Sequence, residues 1–543
     1  MPDKVETYLE KLAKQDGDAA AWAGTGYIGE EKAALYIMNW NFIAGTLGEV
    51  EGQRFQEAAD IATDENIPLV GVFSSGGARQ HEGNLGLAQL DRMTHAFHNF
   101  KKRPNRRPYI AVLNGQVWGG ISASAVPAGD VLVALRGTEY GFSGPRVEEA
   151  YSGIPVKKGE QSVELHSMYR NVDVLVNDEK ELMDYLERLL EVAKPGRKKL
   201  TLETIPEFKI IREGDNLTSS TFDQTGFLPS DRKTAAAAES ADYSEKNDLY
   251  AQYQALARSA ERLDTQTIVS HVFSDVVNLY NGRVEHAETY TEDGDYETTV
   301  LRYPGIVASI GRIGPQPYLI IGNQPSYQRI HDSSQADGYK LVKVPAGPTP
   351  ADYRYMKRML GFGEKLGLPV VFFTDTLGAE PTLEAERNGQ PREIQEALEA
   401  AMEYPFPVIS IINGFLGSGG GKATTPITDE VMMLSGAQAA VAEPRSATAI
   451  LYNTADPSEE AIRHTVDEMK VTAQDQLRFG LVNQIIQESD NPYITIKNIY
   501  DAIATTTVRL QSTRFRLLRR NRRIRKLGGF KLSKTRRVIN YIK

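Results

Sequence analysis

One stretch of this sequence occurs twice, and that constrains the fold more than any other feature. "RPYIAVLNGQVWGGISASAVPAGDVLVAL" ends at Leu135, and "FPVISIINGFLGSGGGKATTPITDEVMML" ends at Leu434. Each reads as an apolar strand, Asn-Gly, a glycine-rich turn, a small-residue segment, Asp, and a second apolar strand. From Gly115 to Asp130 is fifteen positions, as from Gly414 to Asp429; from Gly115 to Pro145 is thirty, as from Gly414 to Pro444. Upstream, "IPLVGVFSSGGARQHEG" (Ile67 to Gly83) answers "LPVVFFTDTLGAEPTLEAE" (Leu368 to Glu386), each a buried strand running into a Gly-Ala turn. Strand, helix, strand, glycine turn and helix in each half predict an α/β fold with a largely parallel sheet, used twice. At 543 residues the chain has room for two domains.

The glycines of "GFLGSGGGKATT" (Gly414 to Thr425) are not a phosphate loop. Counting back from Lys422, the required first glycine falls on Leu416, and Ala423 stands where a metal-binding hydroxyl is needed. A strand ending in Gly-Gly before a helix does leave the first helical N–H groups unpaired at the positive end of the dipole, which suits an oxyanion. The expected donors are the Gly77-Ala78 turn with Gly120 in the first half, and Ala379 with Gly420 in the second. The alternative is that these glycines only permit close helix–sheet packing.

Composition excludes several chemistries. The chain has no cysteine, so disulfides, thiolate nucleophiles and thiolate zinc sites are ruled out. His95 and His98 lie three apart in "THAFHNF" without a visible third ligand, so no metal is expected. No charged-then-apolar leader and no long apolar run are seen, and a cytoplasmic, non-membrane protein is expected. The net charge of -9 hides an asymmetry: Thr513 to Lys543 carries thirteen Lys or Arg and no acid, leaving about -22 (-9 minus 13) on the rest. Such a tail suits nucleic acid, anionic lipid or a phosphorylated ligand. The plainer expectation is a helix packed on its own acidic domain through Phe515, Leu517, Leu518 and Ile524. "REGDNLTSSTFDQTGFLPSDRKTAAAAES" reads as a connector, "YSEKNDLYAQYQALARSAERL" as a helix of the second half, and "YTEDGDYETT" as a hairpin through Asp293-Gly294.

With these motifs in order, the N-terminal half resembles the β subunit of bacterial acetyl-CoA carboxylase carboxyltransferase through "GTLGEVEGQRF", "SSGGARQHEG", "GGISASAVPAGD" and "GFSGPRVEEA". The C-terminal half resembles the α subunit through "FFTDTLGAEPTLEAERNGQ", "INGFLGSGGGKA", "AEPRSATAILY" and "MKVTAQDQLRFGLVNQII", and "LRRNRRIRKLGG" resembles that subunit's end. The resemblance implies two crotonase-like domains (ClpP/crotonase), a duplicated β-β-α spiral. It divides the chain into an acyl-CoA-binding domain at 1–198, a connector and helix at 199–265, a biotin-binding domain at 266–512 and a basic tail at 513–543. It departs from the family in lacking the four-cysteine zinc ribbon, and in reading "DTLGAEP", with Leu377 and Glu380, where the family has "DTPGAYP".

The resemblance also implies the chemistry. Carboxybiotin releases carbon dioxide, its ureido nitrogen takes the acyl-CoA α-proton, and the enolate attacks the carbon dioxide. Gly77, Ala78, Gly119, Gly120, Gly378, Ala379, Gly420 and Gly421 would hold the two oxyanions. Ala379, Gly419, Gly420, Arg445 and Ser446 would bind biotin; Gly76, Arg79, Gly119, Gly144, Pro145 and Arg146 would bind acyl-CoA. Internal ion pairing is the competing expectation for Arg79, Arg146 and Arg445. His81 and Glu82 sit beside the first turn, where Glu82 either does acid–base work or fixes the loop. Met356-Lys357-Arg358-Met359 lies in a helical stretch and is not a biotinylation site, so biotin would arrive on a carrier protein served by a biotin carboxylase. A homo-oligomer is expected, because in the resembling family the active site lies between domains of different protomers. A nucleic-acid partner is not expected. The alternatives are a decarboxylase subunit of the malonate or glutaconyl-CoA type, the former resembled by "EGNLGLAQL" (Glu82 to Leu90), and a noncatalytic scaffold.

Overall fold

The structure is a computed structural model that describes residues 17, 19–79, 82, 84–102, 106–142, 144–145, 156–194, 199–208, 249–258, 262–291, 294–331, 339–425, 428–440, 442–454, 456–513 and 516–525. Its first half builds one sheet from β1 (Ala21–Ile28), β2 (Glu31–Met38), β3 (Leu69–Ser75), β4 (Tyr109–Val117), β5 (Val131–Leu135) and β6 (Val174–Val176), side by side in that order. Only β1 and β2 pair antiparallel; the other neighbours are parallel. Helices cover both faces, so strands such as "YIAVL" at the start of β4 are apolar throughout and buried throughout.

The second half contributes β7 (Ser274–Asn278), β8 (Arg283–Thr291), β9 (Gly294–Arg302), β10 (Val307–Ile313), β11 (Gln316–Gly322), β12 (Ser326–His331), β13 (Tyr339–Val344), β14 (Val370–Thr376), β15 (Val408–Gly417), β16 (Glu430–Leu434), β17 (Gln438–Ala440) and β18 (Gln484–Ile486). The sheet order β7-β10-β11-β14-β15-β16-β18 repeats the first sheet with one extra edge strand: β10 and β11 are antiparallel, and every pair from β11 to β18 is parallel. The repetition extends to a defect. Register slips between Phe73 and Ser75 in the first half and between Thr374 and Thr376 in the second, just before each Gly-Ala turn.

Strands β8, β9, β12 and β13 form a separate antiparallel sheet with no counterpart among the described residues of the first half. The expected acidic hairpin is there, one residue out of place. Thr291 pairs with Gly294, so Gly294 opens the second strand, and the loop residues 292 and 293 lie outside the described residues.

The two halves share a core. Helix Glu179–Val192 is started by the Asp178 carboxylate, which accepts from the Glu181 N–H at 2.8 Å, and buries Leu182, Leu186, Leu189 and Leu190 along one stripe. Helix Pro350–Lys365 is capped by Thr349 and buries Tyr353, Met356, Met359 and Leu360. Both stripes pack with Val70, Ile110 and Val133 of the first sheet and with Ile310 and Leu319 of the second. Each such side chain contributes about 1.5–3 kcal/mol of burial. Across the same junction Arg358 donates to Asp173 at 2.9 Å, Arg170 donates to the Ile306 carbonyl at 2.9 Å, and the Leu175 N–H donates to Asn281 at 3.0 Å.

The helix Leu249–Arg258 packs on the second half, where Tyr253 stacks edge-on against Phe415, 5.2 Å between centroids. The basic tail corrects an expectation. Its helix Arg516–Arg525 does lie on the second half, but Leu517 and Leu518 are 40% and 55% exposed, while Arg520 is 2% exposed. Phe515 and the side chain of Ile524 lie outside the described residues. Among the described side chains of this helix, the buried one is a cation, Arg520, and not Leu517 or Leu518.

Candidate functional site

Each half brings its two glycine turns into contact. In the first, β3 ends at Ser75, and the turn that follows is stitched to the segment before helix Glu49–Asp64: the Gly76 N–H donates to Ala44, the Leu47 N–H to Gly77, and the Arg79 N–H to Leu47, each at 2.8 Å. The Ser75 hydroxyl accepts from the Gly77 N–H at 3.2 Å. β4 ends beside it, with the Trp118 N–H on the Ser75 carbonyl at 2.8 Å. Gly119 then turns with φ +66° and lies so close that a Cβ there would sit 2.9 Å from the Gly77 Cα. No side chain fits between the turns.

The helix expected after these glycines is a short 3-10 turn, Gly119–Ala123. That alters the physics of the site. So short a turn carries little macrodipole, and the contribution comes from single N–H groups. The Gly119 N–H is held by the Phe142 carbonyl at 3.0 Å. Gly120 stands in the first turn, where an N–H has no upstream helical carbonyl. Gly144, half-buried, lies over Trp118, with Pro145 after it; Arg146 falls outside the described residues, as does His81.

Arg79 follows the ion-pairing expectation rather than the acyl-CoA one. Its guanidinium is 3% exposed and pairs with Glu51 at 2.8 Å and Glu82 at 2.9 Å, while donating to the Thr46 carbonyl at 2.7 Å. Glu51 in turn accepts from the Ala20 and Gly48 N–H groups at 2.7 and 2.9 Å. A buried cation with two carboxylates braces the turn from behind, and Glu82, which also accepts from the Glu49 N–H at 2.7 Å, fixes the loop.

The second half repeats the arrangement with different side chains. β14 ends at Thr376, whose hydroxyl accepts from the Gly378 N–H at 3.1 Å. β15 runs to Gly417, and helix Ser418–Thr424 follows. A Cβ on Gly420 would sit 2.2 Å from the Ala379 nitrogen. The register of the repeat is one residue off the sequence expectation. The spacing that matches Gly115 to Gly414 sets Ser418 opposite Gly119 and Gly419 opposite Gly120, and the left-handed φ of 54° at Ser418 matches that of Gly119. Gly419 is exposed, with nothing within 4 Å of an added Cβ. Gly420 is buried against Ala379, its N–H 3.4 Å from the Ser418 hydroxyl, and Gly421 is buried near Thr376. Ser418 was missed because a non-glycine residue in the left-handed region carries no sequence signal.

Under this turn lies a buried ion pair, Lys343 with Asp375 at 2.5 Å, and Asp375 also accepts from the Phe415 N–H at 3.1 Å. Lys343 comes from β13 of the added sheet, so no local pattern announces it. Ala440 of β17 pairs with Gly417 beside the turn, and Arg445 and Ser446 follow in the helix Pro444–Leu451. Glu443 caps the helix Pro444–Leu451, accepting from the Arg445 and Ser446 N–H groups and the Ser446 and Tyr253 hydroxyls at 2.8–3.1 Å. Burial alone raises its pKa; these four donors outweigh burial and bring it below the ordinary value. Arg445 is exposed and pairs with Asp456 at 2.5 Å.

His95 and His98 are exposed on helix Asn84–Lys102, and among the described residues no three His, Cys, Asp or Glu side chains come together as a metal site. Among the same residues no helix is long and apolar enough to cross a membrane. Lys357, of the rejected biotinylation motif, is held by Glu393 at 2.6 Å and by Glu396.

The family model described as acetyl co-enzyme A carboxylase carboxyltransferase-like matches residues 232–528. A Saccharopolyspora erythraea protein named acetyl-coenzyme A carboxylase carboxyl transferase subunits beta/alpha is 29% identical over 488 residues, 89% of this chain and 74% of that protein. The corresponding β subunit of Rubrobacter xylanophilus is 35% identical over 189 residues, covering 35% of this chain and 71% of that protein. Among solved structures, transcarboxylase 12S, a hexamer with methylmalonyl-coenzyme A and methylmalonic acid bound, matches with a TM-score of 0.62 at 16% identity, over 91% of this chain and 82% of that one. That likeness shows the fold, which is crotonase-like. On the match of the family model to more than half its length, the chain belongs to the acetyl co-enzyme A carboxylase carboxyltransferase-like family.

Proposed function

We propose that this chain is the carboxyltransferase component of an acyl-CoA carboxylase, with acyl-CoA bound by residues 1–198 and biotin by residues 266–512. The observation that carries this reading is the duplicated pair of touching turns, Gly77 with Gly119 and Gly378 with Ser418. Two such pairs suit a reaction with two oxyanions, one on each substrate.

Biotin, when bound on its carrier, supplies the carboxyl group and a ureido nitrogen able to take a proton. The chain's part is to hold oxygens. The Gly77-Ala78 turn and the Gly120 N–H receive the thioester oxygen as it gains charge on loss of the α-proton. The N–H groups of Ala379 and Gly419 receive the ureido oxygen, and Gly419 is open to it, with nothing within 4 Å of an added Cβ. One donor of this kind lowers the barrier by about 3 kcal/mol. Arg79, Glu51 and Glu82 keep the first turn rigid, and Lys343 with Asp375 supports the second.

The same reading includes a homo-oligomer. Ile450, Leu451 and Tyr452, three consecutive apolar residues, are 76%, 67% and 50% exposed just beyond Arg445 and Ser446, a surface that calls for a partner. The partners proposed are a second copy of this chain, a biotin carrier protein and a biotin carboxylase. The test is carboxyl transfer from malonyl-CoA to free biotin by the purified chain, followed as acetyl-CoA formed. Biotin-dependent turnover is expected. Acetyl-CoA released at the same rate without biotin would favour the decarboxylase alternative, and no turnover with either would overturn the reading.

A further inference from the structure

The repeated aspartates sit in one structural role but receive their cations from different places. In the first half, Asp130 accepts from the Tyr109 N–H at 2.8 Å, at the start of β4, and takes both terminal nitrogens of Arg106 at 2.6 Å. In the second, Asp429 accepts from the Val408 N–H at 3.0 Å, at the start of β15. The residue that stands to Asp429 as Arg106 stands to Asp130 is Pro405, twenty-four positions upstream in each case. Proline brings no charge. The missing guanidinium is that of Arg520 in the tail helix, which donates to Asp429 at 2.8 and 3.2 Å and to the carbonyls of Met402 and Tyr404 at 2.7 and 3.0 Å. Both side chains are nearly inaccessible, 0% for Arg520 and 3% for Asp429. A second tail arginine, Arg516, donates to the Pro405 carbonyl at 3.2 Å.

We infer that the helix Arg516–Arg525, at the start of the basic tail, is a built-in strap that positions the second glycine turn, with Arg520 replacing in space the arginine that the second repeat lacks in sequence. The path is short. Asp429 ends the segment that begins with helix Ser418–Thr424 and also pins the first residue of β15, whose last residue leads into Ser418. Both ends of the strand–turn–helix unit that carries Gly419 and Gly420 are thus referred to one carboxylate. Without its cation that carboxylate is a buried uncompensated charge, and the unit must rearrange to hydrate it. Arg520 is a positioning residue; it acts through Asp429. It also gives an internal use to a segment whose charge suggests an external polyanion.

The substrate affected depends on the assignment of biotin to the second half; the strap itself does not. The test uses the full chain with Arg520→Gln, and the same variant carrying Pro405→Arg, which offers the cation from the position Arg106 occupies in the first repeat. Arg520→Gln is expected to raise KM for free biotin about tenfold or more and leave KM for malonyl-CoA within about twofold, a split that general loss of folded protein does not produce. Amide exchange is expected to accelerate in residues 408–425 and stay unchanged in 109–123. Pro405→Arg is expected to restore both readouts at least in part, including where Arg520→Gln alone folds poorly. Faster exchange at 408–425 with the KM change on malonyl-CoA would keep the strap and reverse the assignment of substrates. Unchanged exchange and kinetics, or a defect that Pro405→Arg leaves untouched, would overturn the inference.

Discussion

Ser418 and Gly119 hold the same left-handed backbone conformation, φ 54° and 66°, at matching points of two repeated turns. A Cβ in that region costs about 1–2 kcal/mol relative to glycine. The second half accepts this cost and places the Ser418 hydroxyl against Gly378, where an added Cβ would lie 2.5 Å from it. Ser418→Gly is therefore expected to raise thermal stability by about 1 kcal/mol while keeping carboxyl transfer. Gly378→Ala is expected to abolish transfer, and Ser418→Gly in the same chain to restore part of it. A Gly378→Ala chain as active as the parent would refute the close packing of these turns.

Alanine at Gly119 or Gly420 puts a methyl group into the opposing backbone, and each variant is expected to lose about a hundredfold in rate, the scale of one lost oxyanion donor. The two defects lie in different halves. If each active site joins the first half of one protomer to the second half of another, mixing the two inactive chains returns partial activity as subunits exchange. Mixtures that stay inactive under conditions where exchange is demonstrated would place both halves of a site in one chain.

Leu451→Asp and Ile450→Asp put charges on the exposed apolar segment next to Arg445 and Ser446. Sedimentation is expected to show smaller assemblies, with activity falling in step, since burying an unpaired carboxylate in an interface is costly. Unchanged assembly would assign this surface some other role.

Lys101 tests the junction between the halves. Burial, together with the charges of Lys365, Arg106 and Arg358 and against the pull of Asp130, brings its pKa down to about 8 from 10.5. Between pH 8 and 10.5 the unfolded chain therefore binds the extra proton, and stability from this group rises with pH across that window. Lys101→Met is expected to be more stable than the parent at pH 7 and to lose this rise. Parallel melting-temperature profiles from pH 7 to 10 for the two chains would show that Lys101 titrates normally.

The duplicated strands with their glycine turns, the two Gly-Ala turns and the joining of an acidic body to a basic tail were all legible in the sequence. They rest on local patterns: apolar strands, glycine spacing and a charge count. The register of the second turn was not, because one shifted residue in "GSGGGK" leaves the glycine pattern intact while moving Ser418 into the left-handed position. Nor was the fate of the charged side chains. Arg79 reads either as an acyl-CoA ligand or as one half of an internal ion pair, and no local pattern names its partner Glu51, 28 positions upstream.

The sequence by itself determined that one fold is used twice and where each pair of turns lies, because strand periodicity and turn chemistry act over a few residues. Only the tertiary structure decided which charges meet: Lys343 with Asp375, Arg358 with Asp173, Arg520 with Asp429. Burying a charge requires a compensating partner in space, and nothing in that requirement refers to distance along the chain.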